Sequence, residues 1–204
     1  MNSATLYYIH DPMCSWCWGF NQTWNEVRTK IETQLNVQYV LGGLAPDTNQ
    51  IMPVEMRHYI QDNWHKIEQE IPGTSFNYNF WKNCTPMRST YPACRAVIAA
   101  KNQADKFELP MINVIQEAYY LQAKNPSKDE ALIKLSISIG LDERRFIKDL
   151  NSDATRTKLD DDIKLYKSLG ARGFPSLVLE SNGTKKLITI DYNNPEFILK
   201  QIFA

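Results

Sequence analysis

The sequence predicts an α/β fold of the order βαβ…αββα, its two halves separated by a large all-helical insertion. Three observations predict it. Two short runs rich in aromatic and branched residues, Thr5 to Ile9 and Val37 to Leu41, flank an amphipathic helical stripe. A Cys-X-X-Cys pair, Cys14 and Cys17, falls where the first strand hands over to that helix. Near the C-terminus, Asn182-Gly183 between two apolar runs marks a β-hairpin.

The first strand ends at the turn signal His10-Asp11-Pro12. Phe20, Trp24, Val27, Ile31 and Leu35 then step by four, three, four and four, one face of a helix of period 3.6. Val37 to Leu41 stops at Gly42-Gly43, so residues 5–41 have the length of a βαβ unit with parallel strands. From Ala45 to about Asn151 the pattern changes to helices between proline-bearing turns. Met56, Ile60, Trp64, Ile67 and Ile71 mark one stripe, and Thr90-Tyr91-Pro92 starts a helix over residues 93–104. Pro110 suits the first turn of a third, through Val114, Ala118 and Leu121. Ser127 and Glu130 have capping-box spacing for a fourth, with Leu132, Leu135 and Ile139, ended by Gly140. Asp142 caps a short helix carrying Phe146 and Leu150. Ser152 or Asp153 caps another with Leu159, Ile163 and Tyr166, stopped at Gly170. Ser176 to Glu180 and Lys186 to Ile190 form the hairpin, and Pro195 to Phe203 closes the chain as a helix. The expected division is residues 1–44 with 152–204 for the α/β part and 45–151 for the inserted helical part.

Composition excludes some function classes. Twenty-three basic and 23 acidic residues in 204 leave no net formal charge, hence no global electrostatic case for nucleic acid. Met1 to Thr5 lacks a basic segment leading into an apolar one, and no run approaches the roughly 18 apolar residues of a membrane span. A cytoplasmic chain is expected, with no membrane partner and with oligomeric state left open. Four cysteines are too few for a secreted disulfide scaffold, and Cys84 and Cys94 read as buried small hydrophobes.

The dithiol carries the chemistry. At a helix N-terminus, unpaired N–H groups and the positive end of the macrodipole favour a thiolate, typically by about 0.3 to 1 kcal/mol. Cys14 lies nearer the helix end and reads as the nucleophile, while Cys17 sits one turn in and reads as the resolving thiol. A structural zinc takes four ligands, and no second Cys-X-X-Cys or paired histidine motif is present, so no metal is expected. Redox exchange is the stronger reading in this βαβ setting. Trp16, between the cysteines, is a candidate substrate-binding surface, and Trp24 falls on the apolar stripe as core. His10 is a candidate proton relay because its ordinary pKa suits the role, whereas Asp11 reads as a turn or capping residue.

Asp11-Pro12-Met13-Cys14-Ser15-Trp16-Cys17-Trp18 and Leu169-Gly170-Ala171-Arg172-Gly173-Phe174-Pro175-Ser176, in this element order, resemble the DsbA-like branch of the thioredoxin superfamily. The resemblance spans nearly the whole chain. It implies a thioredoxin fold with a helical insertion and a thiol:disulfide oxidoreductase or isomerase acting on protein or small-molecule disulfides. No cofactor is implied beyond glutathione as a co-substrate. It also implies that Pro175 is cis beside the nucleophilic sulfur, that the Phe174 backbone pairs with a substrate peptide, and that Tyr91 to Ala96 opens a helix over the site. Arg95 and Arg172 are cations that can hold a carboxylate such as that of glutathione, though structural or solvated arginines are commoner.

Two departures stand out. Thioredoxins and DsbA keep a buried carboxylate six residues before the first cysteine, where this chain has Tyr8, so His10, Asp11 or water must serve the resolving thiol. Ser15-Trp16 also brings no cation, whereas the DsbA dipeptide contains a histidine, so a weaker oxidant than DsbA is expected. Two other readings share the architecture. Kappa-class glutathione transferases and hydroxychromene carboxylate isomerases usually have serine in place of Cys14, and some cytosolic DsbA-like proteins are adaptors that bind a client through an aromatic face.

Overall fold

The computed structural model describes residues 4–204; Met1 to Ser3, part of the opening segment considered above for a leader, lie outside the described residues. The strand β1 (Thr5–His10) runs parallel to β2 (Asn36–Leu41) and antiparallel to β3 (Ser176–Ser181), which pairs antiparallel with β4 (Thr184–Ile188). The sheet order is therefore β2-β1-β3-β4. Side chains alternate across it, as period-2 geometry requires. Leu6 and Tyr8 join Leu177 and Ile188 under the helices α1 (Ser15–Ile31) and α9 (Pro195–Ile202), whereas Ile9, Val40 and Val178 face α8 (Asp153–Ser168) on the opposite side.

The hairpin turns on two residues with positive φ, Asn182 at 51° and Gly183 at 76°, with Ser181 opposite Thr184. That register places Leu177 opposite Ile188. The Gln201 side chain takes both the N–H and the carbonyl of Thr189, and Ile190 would fall opposite Pro175 ahead of β3, so β4 is displaced toward its N-terminal end relative to the expected 186–190. The dithiol helix likewise ends at Ile31, where Gln34 and Leu35 both donate to the Ile31 carbonyl and turn the chain into β2, so Leu35 lies beyond the helix.

Between the halves come α2 (Val54–Glu70), α3 (Phe80–Asn83), α4 (Tyr91–Lys101), a 3₁₀ turn at Asp105–Phe107, α5 (Glu108–Tyr120), α6 (Asp129–Ser138) and α7 (Glu143–Leu150). Asp142, Ser152 and Asn194 cap α7, α8 and α9 by accepting the N–H of Arg145, Thr155 and Phe197. Ser127 does not cap α6. Its hydroxyl donates to the Ser89 carbonyl at 2.7 Å, which ties the α6 approach to the loop before α4. The core of these helices gathers around Trp64, Ile67, Phe80, Met111, Tyr120 and Phe146, and it also takes in Met13, Leu41 and Leu159 from the flanking segments. The helix α8 packs against both β2 and α4, so it clasps the sheet layer to the helical layer. Among the described residues no helix is long and apolar enough to cross a membrane.

Candidate active site

The site lies at the C-terminal end of β1, where the chain leaves the centre of the sheet and enters α1. Cys14 is the N-cap residue of α1, with an extended backbone (φ −83°, ψ 118°) and its carbonyl accepting the Trp18 N–H at 3.1 Å. Its own N–H donates to the Asp11 carbonyl at 3.0 Å. Cys14 keeps 7% of its surface exposed, while Cys17, one turn in, keeps none. Both are free thiols. Burial first, then the neighbouring Cys14 sulfur, pushes the Cys17 thiol well above the ordinary thiol range, although the Asp11 backbone N–H offsets part of this.

The loop before β3 supplies the second wall. The Phe174–Pro175 bond is cis, as the resemblance implies, and the Phe174 carbonyl oxygen accepts the Cys14 thiol at 3.6 Å. The Phe174 ring rests on Gly42 at the end of β2. A Cβ there would meet ring atoms at 1.9, 2.1 and 2.7 Å, so only glycine permits this approach. Trp16 is half-buried, tilted on Tyr192 with centroids 5.3 Å apart, and the Lys66 ammonium lies 5.8 Å from its ring centre.

A cleft of about 440 Å³ opens over Cys14. Met13, Trp16 and Phe174 come from the α/β segments, and Met52, Tyr59, Trp64, Met87 and Tyr119 from the helical insertion. Arg88 and Arg172 are the charged residues lining it. Arg95 is not available to a ligand. It is 4% exposed, and its guanidinium grips both Asp47 carboxylate oxygens at 2.7 and 3.0 Å.

The structure thus brings Cys14, Cys17, Trp16, Phe174 and Pro175 together and leaves His10 out. His10 is the last residue of β1 and fully buried, its ring stacked on Tyr8 at 5.1 Å with neither ring nitrogen hydrogen-bonded. Burial lowers its pKa to about 3, which leaves a neutral imidazole with no hydrogen-bonded partner to relay to, contrary to the role expected of it. Asp11 carries more than a turn. Its fully buried carboxylate accepts the N–H groups of Met13 (2.8 Å) and Leu44 (2.7 Å), the Thr90 hydroxyl (2.7 Å) and the Cys94 thiol (3.5 Å). Sequence reasoning missed this because Asp-Pro is an ordinary turn signal and Thr90 an ordinary helix start. Cys94 is buried as expected, whereas Cys84 is only half-buried and donates to the Ala123 carbonyl at 3.1 Å. Among the described residues no group of three or more His, Cys, Asp or Glu side chains is arranged to hold a metal ion.

A family model described as Thioredoxin matches residues 7–201. Among solved structures, a candidate protein disulfide isomerase from Nitrosomonas europaea is 31% identical, with a TM-score of 0.85 over 98% of this chain and 96% of that one. The cytosolic disulfide reductase DsbM from Pseudomonas aeruginosa is 25% identical, with a TM-score of 0.78 over 98% of both chains, and a second structure of that reductase is with GSH. The ClpXP adapter proteins SpxH of Bacillus subtilis and Halalkalibacterium halodurans are 24% and 23% identical over 98% and 97% of this chain. The chain spans about two thirds of the length of those two relatives, 67% and 65%.

Proposed function

Because this chain belongs to the thioredoxin family, we propose that it is a cytoplasmic thiol:disulfide oxidoreductase working in the reducing direction, with Cys14 as nucleophile and Cys17 as resolving thiol. One observation carries the reading: Cys14 caps a helix at the floor of a cleft and faces the Phe174 carbonyl, while its partner thiol is sealed beneath it. Cys14 attacks one sulfur of a substrate disulfide and the other leaves as a thiolate. Cys17 then attacks Cys14, releasing the second substrate thiol and leaving the protein oxidised. Phe174 offers backbone edge to an extended substrate, and Trp16, propped by Tyr192, offers an apolar face.

The reducing direction rests on the electrostatics. Neither Ser15 nor Trp16 is a cation, and burial, with Asp11 adding negative charge nearby, leaves the Cys17 thiolate poorly stabilised. A reduction potential near that of thioredoxin, about −270 mV, is expected, and one near DsbA, about −120 mV, would overturn the direction. Equilibration in glutathione buffers, read by tryptophan fluorescence, measures it. Glutathione is the small-molecule co-substrate we favour, since the cleft is lined by Arg88 and Arg172 without a carboxylate to repel an anionic peptide. Disulfide isomerisation uses the same first attack, with the client's own thiol in place of Cys17.

The adapter relatives and the exposed apolar rim of Ile51, Val54 and Tyr59 support a second reading, in which the same face holds a client protein. A Cys14→Ser, Cys17→Ser protein separates the two. Lost exchange together with retained client binding supports the adapter reading, and loss of both supports exchange alone.

A further inference from the structure

Two unlike surfaces meet at Cys14. The inner one is the cleft of about 440 Å³, a size within the range of about 300 to 1,000 Å³ in which small ligands bury most of their surface. None of its lining residues is acidic, and its two cations come from separate segments, Arg88 ahead of α4 and Arg172 ahead of β3. Among the described residues neither guanidinium makes an ion pair, whereas Arg95 and Arg156 share Asp47. The outer surface is apolar. Ile51, Val54 and Tyr59 are each more than half exposed, and Leu44 and Tyr59 also line the cleft, so this surface continues the cleft wall outward. Backbone contacts hold the two together: Ile51 forms an antiparallel bridge with Met87, the neighbour of Arg88, and the Met52 N–H donates to the Pro86 carbonyl at 2.9 Å. Leu44, whose N–H meets Asp11, and Asp47, gripped by Arg95, fasten the start of the same segment, so the rim is in place before a substrate arrives.

This asymmetry discriminates among disulfides. A small symmetrical disulfide with two anionic halves would lay the second on apolar surface, where a carboxylate loses hydration and gains no partner. A disulfide between two protein segments would have to press one of them into the cleft. A small anionic peptide joined to a protein cysteine with apolar neighbours matches both surfaces at once. We propose that the substrate is a protein cysteine in mixed disulfide with glutathione, the tripeptide in the cleft and the client on the rim, and that Cys14 attacks the glutathione sulfur. The inference rests on the exchange reaction and the glutathione reading given above. Glutathione has its thiol in the middle and a carboxylate at each end, which suits one cation on each of two walls. In the first step the Cys14 thiolate bonds to the glutathione sulfur, the disulfide breaks, and the client leaves as a thiolate that takes a proton from water. Cys17 then bonds to Cys14 and glutathione leaves as the second thiolate, the proton that Cys17 loses balancing the one that glutathione takes up. The client gains two electrons and the dithiol loses them. Two further molecules of glutathione reduce the dithiol again and leave as glutathione disulfide.

The test uses two synthetic peptides, each with one cysteine joined to glutathione, the cysteine flanked by leucine and phenylalanine in one and by serines in the other. In a Cys17→Ser, Cys84→Ser protein the first mixed disulfide cannot resolve, and mass spectrometry reads what Cys14 holds. Glutathione on Cys14 is expected in at least about tenfold excess over peptide, because charge-assisted contacts to Arg88 and Arg172 select the half that enters the cleft. Peptide on Cys14 in equal or larger amount overturns the proposal, as does an adduct formed with neutral hydroxyethyl disulfide but with neither peptide. Absence of any adduct with all three disulfides refutes the exchange reaction itself. Turnover by the wild type, with glutathione and glutathione reductase supplying electrons, decides even if the trapped protein does not fold. The apolar-flanked peptide should have a kcat/KM at least about fivefold above that of the serine-flanked one. Ile51→Ser combined with Val54→Ser should bring the two peptides within about twofold of each other. Arg88→Met and Arg172→Met should each lower the turnover of both peptides relative to hydroxyethyl disulfide by about tenfold. Equal turnover of the two peptides, a preference that survives the rim substitutions, or an unchanged ratio in both arginine variants overturns the proposal.

Discussion

Gly42→Ala tests whether the Phe174 loop, and not the dithiol alone, makes the site competent. An added Cβ would lie 1.9 Å from Phe174 Cε1 and 2.1 Å from Cζ. Carbon atoms rest at about 3.5 to 4.0 Å, so the ring must retreat by about 1.5 Å or more. Tyr166 stands in its way, with ring centroids 5.4 Å apart. Overpacking of this kind costs about 1 to 3 kcal/mol, which lowers Tm by about 3 to 10 °C in a chain of this size. The retreat also draws the Phe174 carbonyl away from the Cys14 thiol, so exchange with glutathione disulfide should slow although both cysteines are intact. Phe174→Ala removes the obstructing ring. In the Gly42→Ala background it should cost at least about 1 kcal/mol less than in wild type. Thermal melts of the four proteins complete the cycle. A Gly42→Ala protein with wild-type Tm and exchange rate, or strictly additive effects of the two substitutions, would refute the reasoning.

Two further predictions concern pH. Asp162 on α8 accepts the Leu41 N–H at 3.1 Å, and burial raises its pKa to about 6. The folded state then holds this proton more tightly than the unfolded chain, so the group's contribution to stability is lost as pH rises from about 4 to 6. Asp162→Asn, which keeps an acceptor for Leu41, should therefore gain stability relative to wild type across that window in urea titrations, and a constant difference would contradict the assignment. His10 has the opposite sign. With its pKa lowered to about 3, the folded state excludes a proton that the unfolded chain takes up below about 6.5, so stability is lost as pH falls from there. His10→Phe should narrow the stability loss between pH 7 and 5, and an imidazole NMR signal for His10 that titrates near 6 would rule the reading out.

The parts of the fold legible in the sequence are those that rest on local physics. Strands β1 to β3, the Asn182-Gly183 turn and the caps at Asp142 and Ser152 each follow from neighbours within about four residues. What stayed hidden depends on partners far along the chain. Ser127 has every local mark of a cap, yet the Ser89 carbonyl takes its hydroxyl. His10 looks like a solvated turn residue until β2 and β3 flank the strand it ends. Asp11 was legible as a turn residue and as one of three candidates to serve the resolving thiol, but its four donors were not, because three of them sit at positions 44, 90 and 94. At the site, both cysteines and the cis proline were named from their motifs, but the cleft residues Met52, Tyr59, Met87 and Arg88 carry no motif and come together only by tertiary packing.

The contact between Cys14 and Phe174 joins positions 160 residues apart, and this bears on how the protein is born. On a ribosome adding about 5 to 20 residues per second, the dithiol is made roughly 8 to 32 seconds before the loop that faces it. Throughout that interval β1 has no β3 partner, and Cys14 and Cys17 are exposed to whatever oxidants and alkylators surround the nascent chain. Reactivity matched to a substrate arrives only once that loop has been made and has folded against the dithiol. A chain truncated before residue 174 would keep both cysteines and have no wall against which to present a disulfide.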